Sequence, residues 1–82
     1  MGTSEHTYRL EELAADLDRC EVAAWHVGTG SVIGEGDDLL DVVTDKACIT
    51  IPAPVAGRVV RQHVGVGTVV LAGDAVVTLA HE

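Results

Sequence analysis

Lys46 is the side chain with the clearest potential for chemistry in this sequence. It is the only lysine, because the other basic residues are four arginines and four histidines. It lies between Asp45 and Ala47, where the flanking patterns predict the tip of a β-hairpin. Most surface lysines are solvated charges without a further role. A single amine on a rigid turn, however, can be offered to a modifying enzyme without being buried, and the absence of other lysines favours such a role.

The cysteines and histidines do not form a metal-binding or disulfide pattern. Cys20 and Cys48 are too few and too far apart, and the histidines lack the short ligand spacing of zinc sites. We therefore predict two reduced thiols and no metal site. No nucleophile and base stand in a credible catalytic arrangement, so the chain is not predicted to be an enzyme on its own.

Size and charge argue against several functional classes. A chain of 82 residues buries only about 60% of its unfolded surface, which leaves little room for an enclosed catalytic cleft. Its net charge of −8 opposes binding to nucleic acid or to anionic membranes. The sequence has neither an apolar run of about 18 residues nor a signal peptide. We expect a soluble monomer in the cytoplasm, or in the mitochondrial matrix of a eukaryote.

Short β-strands are the elements predicted to position Lys46. Valine-rich runs are separated by glycine and aspartate, which is typical of strands joined by tight turns. The helical spacing at Leu10–Leu17 is too short to hold a helix alone, so Glu11–Cys20 is predicted as a loop with at most one helical turn. The predicted strands are Thr7–Leu10, Glu21–Val27, Ser31–Ile33, Asp38–Val43, Ala47–Ile51, Gly57–Val64, Thr68–Val70 and Ala75–Ala80.

The sequence repeats itself after 37 residues. His26–Ile33 aligns with His63–Val70, and Gly36–Asp37 with Gly73–Asp74, giving seven identities in twenty ungapped positions. We therefore predict an all-β fold, a flattened barrel or sandwich of two four-stranded sheets with an internal pseudo-twofold axis (a barrel-sandwich hybrid). Its core is predicted to centre on Val27, Leu39, Val42, Val64, Val76 and Leu79.

The segment around Lys46 resembles a known family. Thr44–Asp45–Lys46–Ala47, followed by Ile51–Pro52–Ala53–Pro54–Val55–Ala56–Gly57, is similar to the lipoyl domain of 2-oxo acid dehydrogenase acyltransferases. The same pattern is matched, without insertion or deletion, by Trp25–His26–Val27, Gly30, Gly36–Asp37 and Leu39. The resemblance covers about Glu21–Ala80.

The resemblance implies that Lys46 carries lipoic acid in amide linkage. It also implies that lipoate ligase, or a lipoyl/octanoyl transferase, reads the flanking Asp45 and Ala47. The arm would take an acyl group from a thiamine-diphosphate-dependent 2-oxo acid decarboxylase, deliver it to coenzyme A at the acyltransferase core and be reoxidised by dihydrolipoamide dehydrogenase. Residues 1–6 are then expected to be a disordered tail and residues 7–82 a carrier domain, either free-standing or excised from a longer chain.

The loop after the first strand is the predicted partner-binding region. Family members usually have a Gly-Glu-Gly stretch here, whereas this chain has Glu11–Cys20. The resemblance places this loop near the lipoyl-lysine, where it helps the decarboxylase to recognise its carrier. We expect a basic rim on that enzyme to face the acidic residues of the loop, which are Glu11, Glu12, Asp16 and Asp18.

Other interpretations of the Lys46 turn remain open. A biotin carboxyl carrier domain has the same architecture, but it typically has methionine on both sides of the modified lysine. A glycine-cleavage carrier protein is usually longer and lacks the Thr-Asp-Lys-Ala turn. An unmodified interaction module with a lipoyl-like fold is the alternative from a different functional class.

Overall fold

Eight short strands and one helical turn make up the computed structural model, which describes residues 4–81. The elements, in chain order, are β1 (Ser4–Arg9), α1 (Leu10–Leu13), β2 (Arg19–Trp25), β3 (Val32–Ile33), β4 (Asp38–Val43), β5 (Cys48–Pro52), β6 (Gly57–Gln62), β7 (Val69–Leu71) and β8 (Ala75–His81). Among these residues no helix is long and apolar enough to cross a membrane.

The strands form two four-stranded antiparallel sheets, with the orders β1-β8-β6-β3 and β5-β4-β2-β7. The sheets do not close into a barrel, so the molecule is a flattened sandwich, and the predicted all-β fold is confirmed. Of the predicted core residues, Leu39, Val42, Val76 and Leu79 are fully buried, whereas Val27 and Val64 are only half-buried and pack against the edge of the core.

The first strand begins earlier than the sequence predicts. The sequence predicts residues 4–6 to be part of a disordered tail, but Ser4–His6 pairs with the end of β8, at Leu79–His81. The signal is weak in the sequence because this edge strand presents mainly polar, exposed side chains. The remainder of the predicted tail, residues 1–3, lies outside the described residues, as does residue 82.

The internal repeat extends to the register of every equivalent strand pair. The Val22–Val42 pair of β2 and β4 becomes, after a shift of 37 residues, the Val59–Leu79 pair of β6 and β8, and both ladders have a bulge at the following residue. Four glycines at equivalent turn positions have φ between 88° and 94°, a conformation that favours glycine because it lacks a Cβ. These glycines are Gly30, Gly36, Gly67 and Gly73.

A histidine-centred network occurs in each half at equivalent positions. In one half, Asp41 Oδ1 lies 2.8 Å from His26 Nε2 and accepts a 2.7 Å hydrogen bond from Thr50 Oγ1. The bond to Asp41 raises the pKa of His26, and the bonds from His26 and Thr50 lower the pKa of Asp41. In the other half the corresponding network joins His63 to two threonine hydroxyls. One sheet therefore has a carboxylate as the histidine's partner where the other has threonine hydroxyls.

Candidate functional site

The Lys46 turn joins the edge strand β5 to its neighbour β4. Val43 and Cys48 are the last residues paired in the ladder. Asp45, Lys46 and Ala47 are all exposed. The structure thus brings together the predicted attachment lysine and both predicted flanking residues on one accessible hairpin tip.

The Thr44 side chain holds this turn closed. Its hydroxyl oxygen accepts hydrogen bonds from the backbone N–H groups of Lys46 and Ala47, at 3.2 and 3.1 Å. The same hydroxyl donates to the Ala47 carbonyl oxygen at 3.2 Å, and the Thr44 N–H donates to that oxygen at 2.8 Å. A threonine hydroxyl commonly shapes a turn in this way. Thr44 was matched in the sequence only as part of a family motif, and its turn-closing role was missed.

The common two-residue hairpin turns require residues with positive φ. No residue other than glycine has a positive φ between residues 4 and 81, so Asp45 and Lys46 do not adopt that geometry. The Thr44 hydroxyl instead accepts the hydrogen bonds of the Lys46 and Ala47 N–H groups. This fixes the backbone conformation at Lys46. Because Lys46 is exposed on a turn whose bonds do not involve its side chain, an acyl group can be joined to its amine without rearranging the fold.

Two of the acidic residues predicted to bind a partner have structural roles at the other end of their loop. Glu11 Oε1 accepts a 2.7 Å hydrogen bond from the Gly73 N–H. Glu12 Oε1 accepts one of 3.0 Å from the Arg9 N–H, and Glu12 Oε2 lies 2.9 Å from His6 Nε2. The hydrogen bond from the Arg9 N–H lowers the pKa of Glu12 most, and the bond with His6 lowers it further. These contacts fix α1 against β1 and the turn before β8.

A cleft of about 540 Å³ lies beside the Lys46 turn. Of the four acidic residues predicted in the loop, only Asp18 lines it; Asp16 is exposed elsewhere on the loop. No sequence pattern indicates this cleft, because its walls come from strands that are distant along the chain. The residues that line it include Asp18, Glu21, Val43, Thr44, Asp45 and Val69.

The two cysteines are unpaired, with Cys20 buried and Cys48 exposed. Burial raises the pKa of the Cys20 thiol. Within residues 4–81, no three histidine, cysteine, aspartate or glutamate side chains are grouped so that they could hold a metal ion.

Comparison with known proteins relates most of the chain to one family. The Biotin_lipoyl family model, described as biotin-requiring enzyme, matches residues 12–79. The lipoamide acyltransferase component of the branched-chain alpha-keto acid dehydrogenase complex of Pseudomonas aeruginosa is 34% identical over 82 residues, which is 100% of this chain and 19% of that protein. The dihydrolipoyllysine-residue acetyltransferase component of the pyruvate dehydrogenase complex of Staphylococcus aureus is 36% identical over 72 residues, covering 88% of this chain and 17% of that protein.

A solved structure has the same fold. The lipoyl domain of the 2-oxoglutarate dehydrogenase complex of Azotobacter vinelandii superposes with a TM-score of 0.70 at 22% identity, covering 89% of this chain and 92% of that domain. This chain spans less than a fifth of the length of the two acyltransferase relatives, but nearly the whole of the solved domain.

Proposed function

The chain belongs to the Biotin_lipoyl family as a lipoyl domain of the kind found in 2-oxo acid dehydrogenase acyltransferases, and we propose that Lys46 carries its lipoic acid. The observation that carries this proposal is the position of the only lysine, exposed at the tip of the hairpin that Thr44 closes. When bound, the lipoyl group supplies a disulfide that accepts an acyl unit together with two electrons.

The protein's own residues present the arm and supply no acid or base. Lys46 contributes a flexible aliphatic stem, and Thr44 keeps the base of that stem in a fixed orientation. The sandwich beneath the turn anchors both ends of the hairpin through the ladders of β4 with β2 and β5. A tethered arm keeps its cargo at high effective concentration near successive active sites. The chain therefore acts as a carrier and not as an enzyme.

We also propose the partners of this carrier. A lipoate ligase or lipoyl/octanoyl transferase attaches the group by reading Asp45 and Ala47. A thiamine-diphosphate-dependent decarboxylase, an acyltransferase core and dihydrolipoamide dehydrogenase then act on the arm in turn. Support comes from the relatives, which are components of the branched-chain alpha-keto acid and pyruvate dehydrogenase complexes. The region that the sequence predicts to contact the decarboxylase is the acidic loop with Glu11, Glu12, Asp16 and Asp18.

Intact-mass analysis tests the attachment site directly. The wild-type domain and Lys46→Arg are incubated with lipoate, ATP and a lipoate ligase. We expect one lipoyl increment on the wild type and none on Lys46→Arg, because the chain has no other side-chain amine. An increment that persists in the variant, or its absence from both proteins, would refute the proposal.

A biotinyl domain is the second candidate, because the matching family model is described as biotin-requiring enzyme. The same mass experiment with biotin and a biotin ligase distinguishes the two, since the added groups differ in mass. We expect no biotin increment, because Asp45 and Ala47 replace the methionines typical of biotinyl domains. A domain that neither ligase modifies would instead be an unmodified interaction module.

A further inference from the structure

The cleft beside the Lys46 turn contains a row of three residues across neighbouring strands. Glu21 of β2 pairs with Val43 of β4 on one side and with Val69 of β7 on the other. Directly paired residues project from the same face of a sheet. Val43 has 38% of its surface exposed and Val69 has 45%, and Glu21 is also exposed. The row thus presents two apolar side chains with a carboxylate between them.

The opposite half of the molecule has an equivalent row of different character. A shift of 37 residues converts Val43, Glu21 and Val69 into Ala80, Arg58 and Val32, which are paired in the same register. These residues line a second cleft, of about 490 Å³. The scaffold therefore forms two similar clefts, but the one beside Lys46 has an acidic centre where its equivalent has a cationic one.

Asp18 and Asp45 add further negative charge to the cleft beside Lys46, so that three carboxylates outnumber its one cationic lining residue, Arg19. Among residues 4–81 the carboxylates of Asp18 and Glu21 accept no hydrogen bond, in contrast to those of Glu11 and Glu12. Both carboxylates are thus available to a cationic side chain of another protein, while the two valines offer an apolar contact.

We propose that this cleft, formed by Asp18, Glu21, Asp45, Val43 and Val69, is the surface on which the 2-oxo acid decarboxylase docks. The cleft receives a segment of the decarboxylase in which a cationic side chain lies beside an aliphatic one. This inference rests on the proposed function, because it assumes that a decarboxylase acts on an arm at Lys46. It also moves the recognition surface from the start of the acidic loop to the junction of β2, β4 and β7.

Position supports this assignment independently of charge. A decarboxylase that draws the arm into its active site must approach the exposed tip at Lys46, and its rim then covers the surface next to that tip. Asp45 both precedes Lys46 and lines the cleft, so the cleft is continuous with the turn. Apolar contacts within such a covered area provide affinity, while the surrounding charges favour the correct partner and speed association.

Two variants test the two components of the surface. Val69→Ser removes an apolar contact, and Asp18→Asn/Glu21→Gln removes two charges. Each has a matched control in the remote part of the same domain. Val32→Ser alters the equivalent position of the other half. Glu35→Gln/Asp38→Asn removes two exposed charges in the turn before β4 and at its first residue, where Asp38 lies about 17 Å along the strand from Val43, at about 3.3 Å per residue.

All five lipoylated proteins are assayed with two decarboxylases, from the Pseudomonas aeruginosa branched-chain complex and the Staphylococcus aureus pyruvate dehydrogenase complex, with free lipoamide as reference. We expect both cleft variants to lower kcat/KM for reductive acylation at least about fivefold, measured with the decarboxylase that acylates the wild-type domain. Both controls should keep the wild-type value. The wild-type rate should also fall with added salt, more steeply than that of the charge variant.

The outcomes separate this inference from the proposed function. A domain that is lipoylated and acylated faster than free lipoamide, but whose cleft variants retain wild-type kcat/KM, would overturn the docking surface and leave the carrier function intact. A wild-type domain that is not lipoylated, or that reacts no faster than free lipoamide with either enzyme, would refute the carrier function and the docking surface with it.

Discussion

Replacing Thr44 by valine should loosen the turn that presents Lys46 without changing the size of the side chain. The substitution removes one hydroxyl that accepts two backbone hydrogen bonds, from Lys46 and Ala47, and donates a third to the Ala47 carbonyl oxygen. The remaining backbone bond between Thr44 and Ala47 is unaffected. The turn should therefore lose its defined geometry while the β4–β5 ladder persists.

The size of the effect follows from these bonds. An intramolecular hydrogen bond contributes about 0.5–1.5 kcal/mol net, and this turn is at the low end because water can replace the hydroxyl. Three such bonds suggest a loss of about 1–2 kcal/mol in the free energy of unfolding. For a domain of this size, that corresponds to a decrease in Tm of about 5–15 °C.

Thermal unfolding and ligase kinetics together test this reasoning. We expect Thr44→Val to unfold at lower temperature and to be lipoylated more slowly, because the ligase must select one conformation of a mobile turn. Thr44→Ser retains the hydroxyl and should restore most of both properties, and Thr29→Val, on another exposed turn, should change neither. A Thr44→Val protein with the wild-type Tm and lipoylation rate would show that the hydroxyl does not maintain the turn.

Two further predictions concern the rest of the scaffold. The carboxylate partner of His26 raises its folded pKa, so its stabilising contribution is complete below its unfolded pKa of about 6.5 and is lost as the pH rises through the folded pKa. His26→Gln should therefore reduce the difference in Tm between about pH 5 and pH 8. Equal pH profiles for His26→Gln and the wild type would contradict this. A Cβ at Gly57 would overlap a backbone carbonyl oxygen of β8, whereas one at Gly28 has nothing within 4 Å. Chemical denaturation should show that Gly57→Ala lowers the free energy of unfolding by about 1–3 kcal/mol and Gly28→Ala by less than about 0.5 kcal/mol. Similar losses for the two variants would show that β8 can shift to accommodate a Cβ at Gly57.

Much of the fold could be predicted because its signals are local or repeated. Valine-rich strands and glycine turns recur with one spacing, and two copies of one pattern imply matching sheets. The lysine was identifiable because it is unique in the sequence. By contrast, Glu11 is predicted from the sequence as a partner-binding residue, and only the tertiary fold brings the Gly73 N–H to 2.7 Å from its carboxylate.

The cleft could not be predicted, because its central row depends on pairing between β2, β4 and β7. Glu21, Val43 and Val69 are ordinary strand residues when considered singly, and nothing in their neighbours along the chain distinguishes them. Their proximity is a consequence of register. The Ser4–His6 segment was missed for a related reason, since its polar side chains carry no strand pattern and its pairing with β8 is supplied by the other end of the chain.

The pseudo-twofold symmetry gives a physical basis for separating scaffold from function. Features present in both halves, such as the bulges and the left-handed glycines, are requirements of the fold, because each half needs them to build its sheet. Features that differ at equivalent positions are not required in that way. One such difference, the acidic Glu21 against the cationic Arg58, adjoins the Lys46 turn, whose equivalent in the other half is the Ser4–His81 pair of β1 and β8. A duplicated scaffold thus carries its specific chemistry where the two copies diverge, as at Glu21 and Arg58. Val32 and Val69 are the same residue in the same register, so comparing Val32→Ser with Val69→Ser tests whether the apolar contact matters only in the half that contains the Lys46 turn.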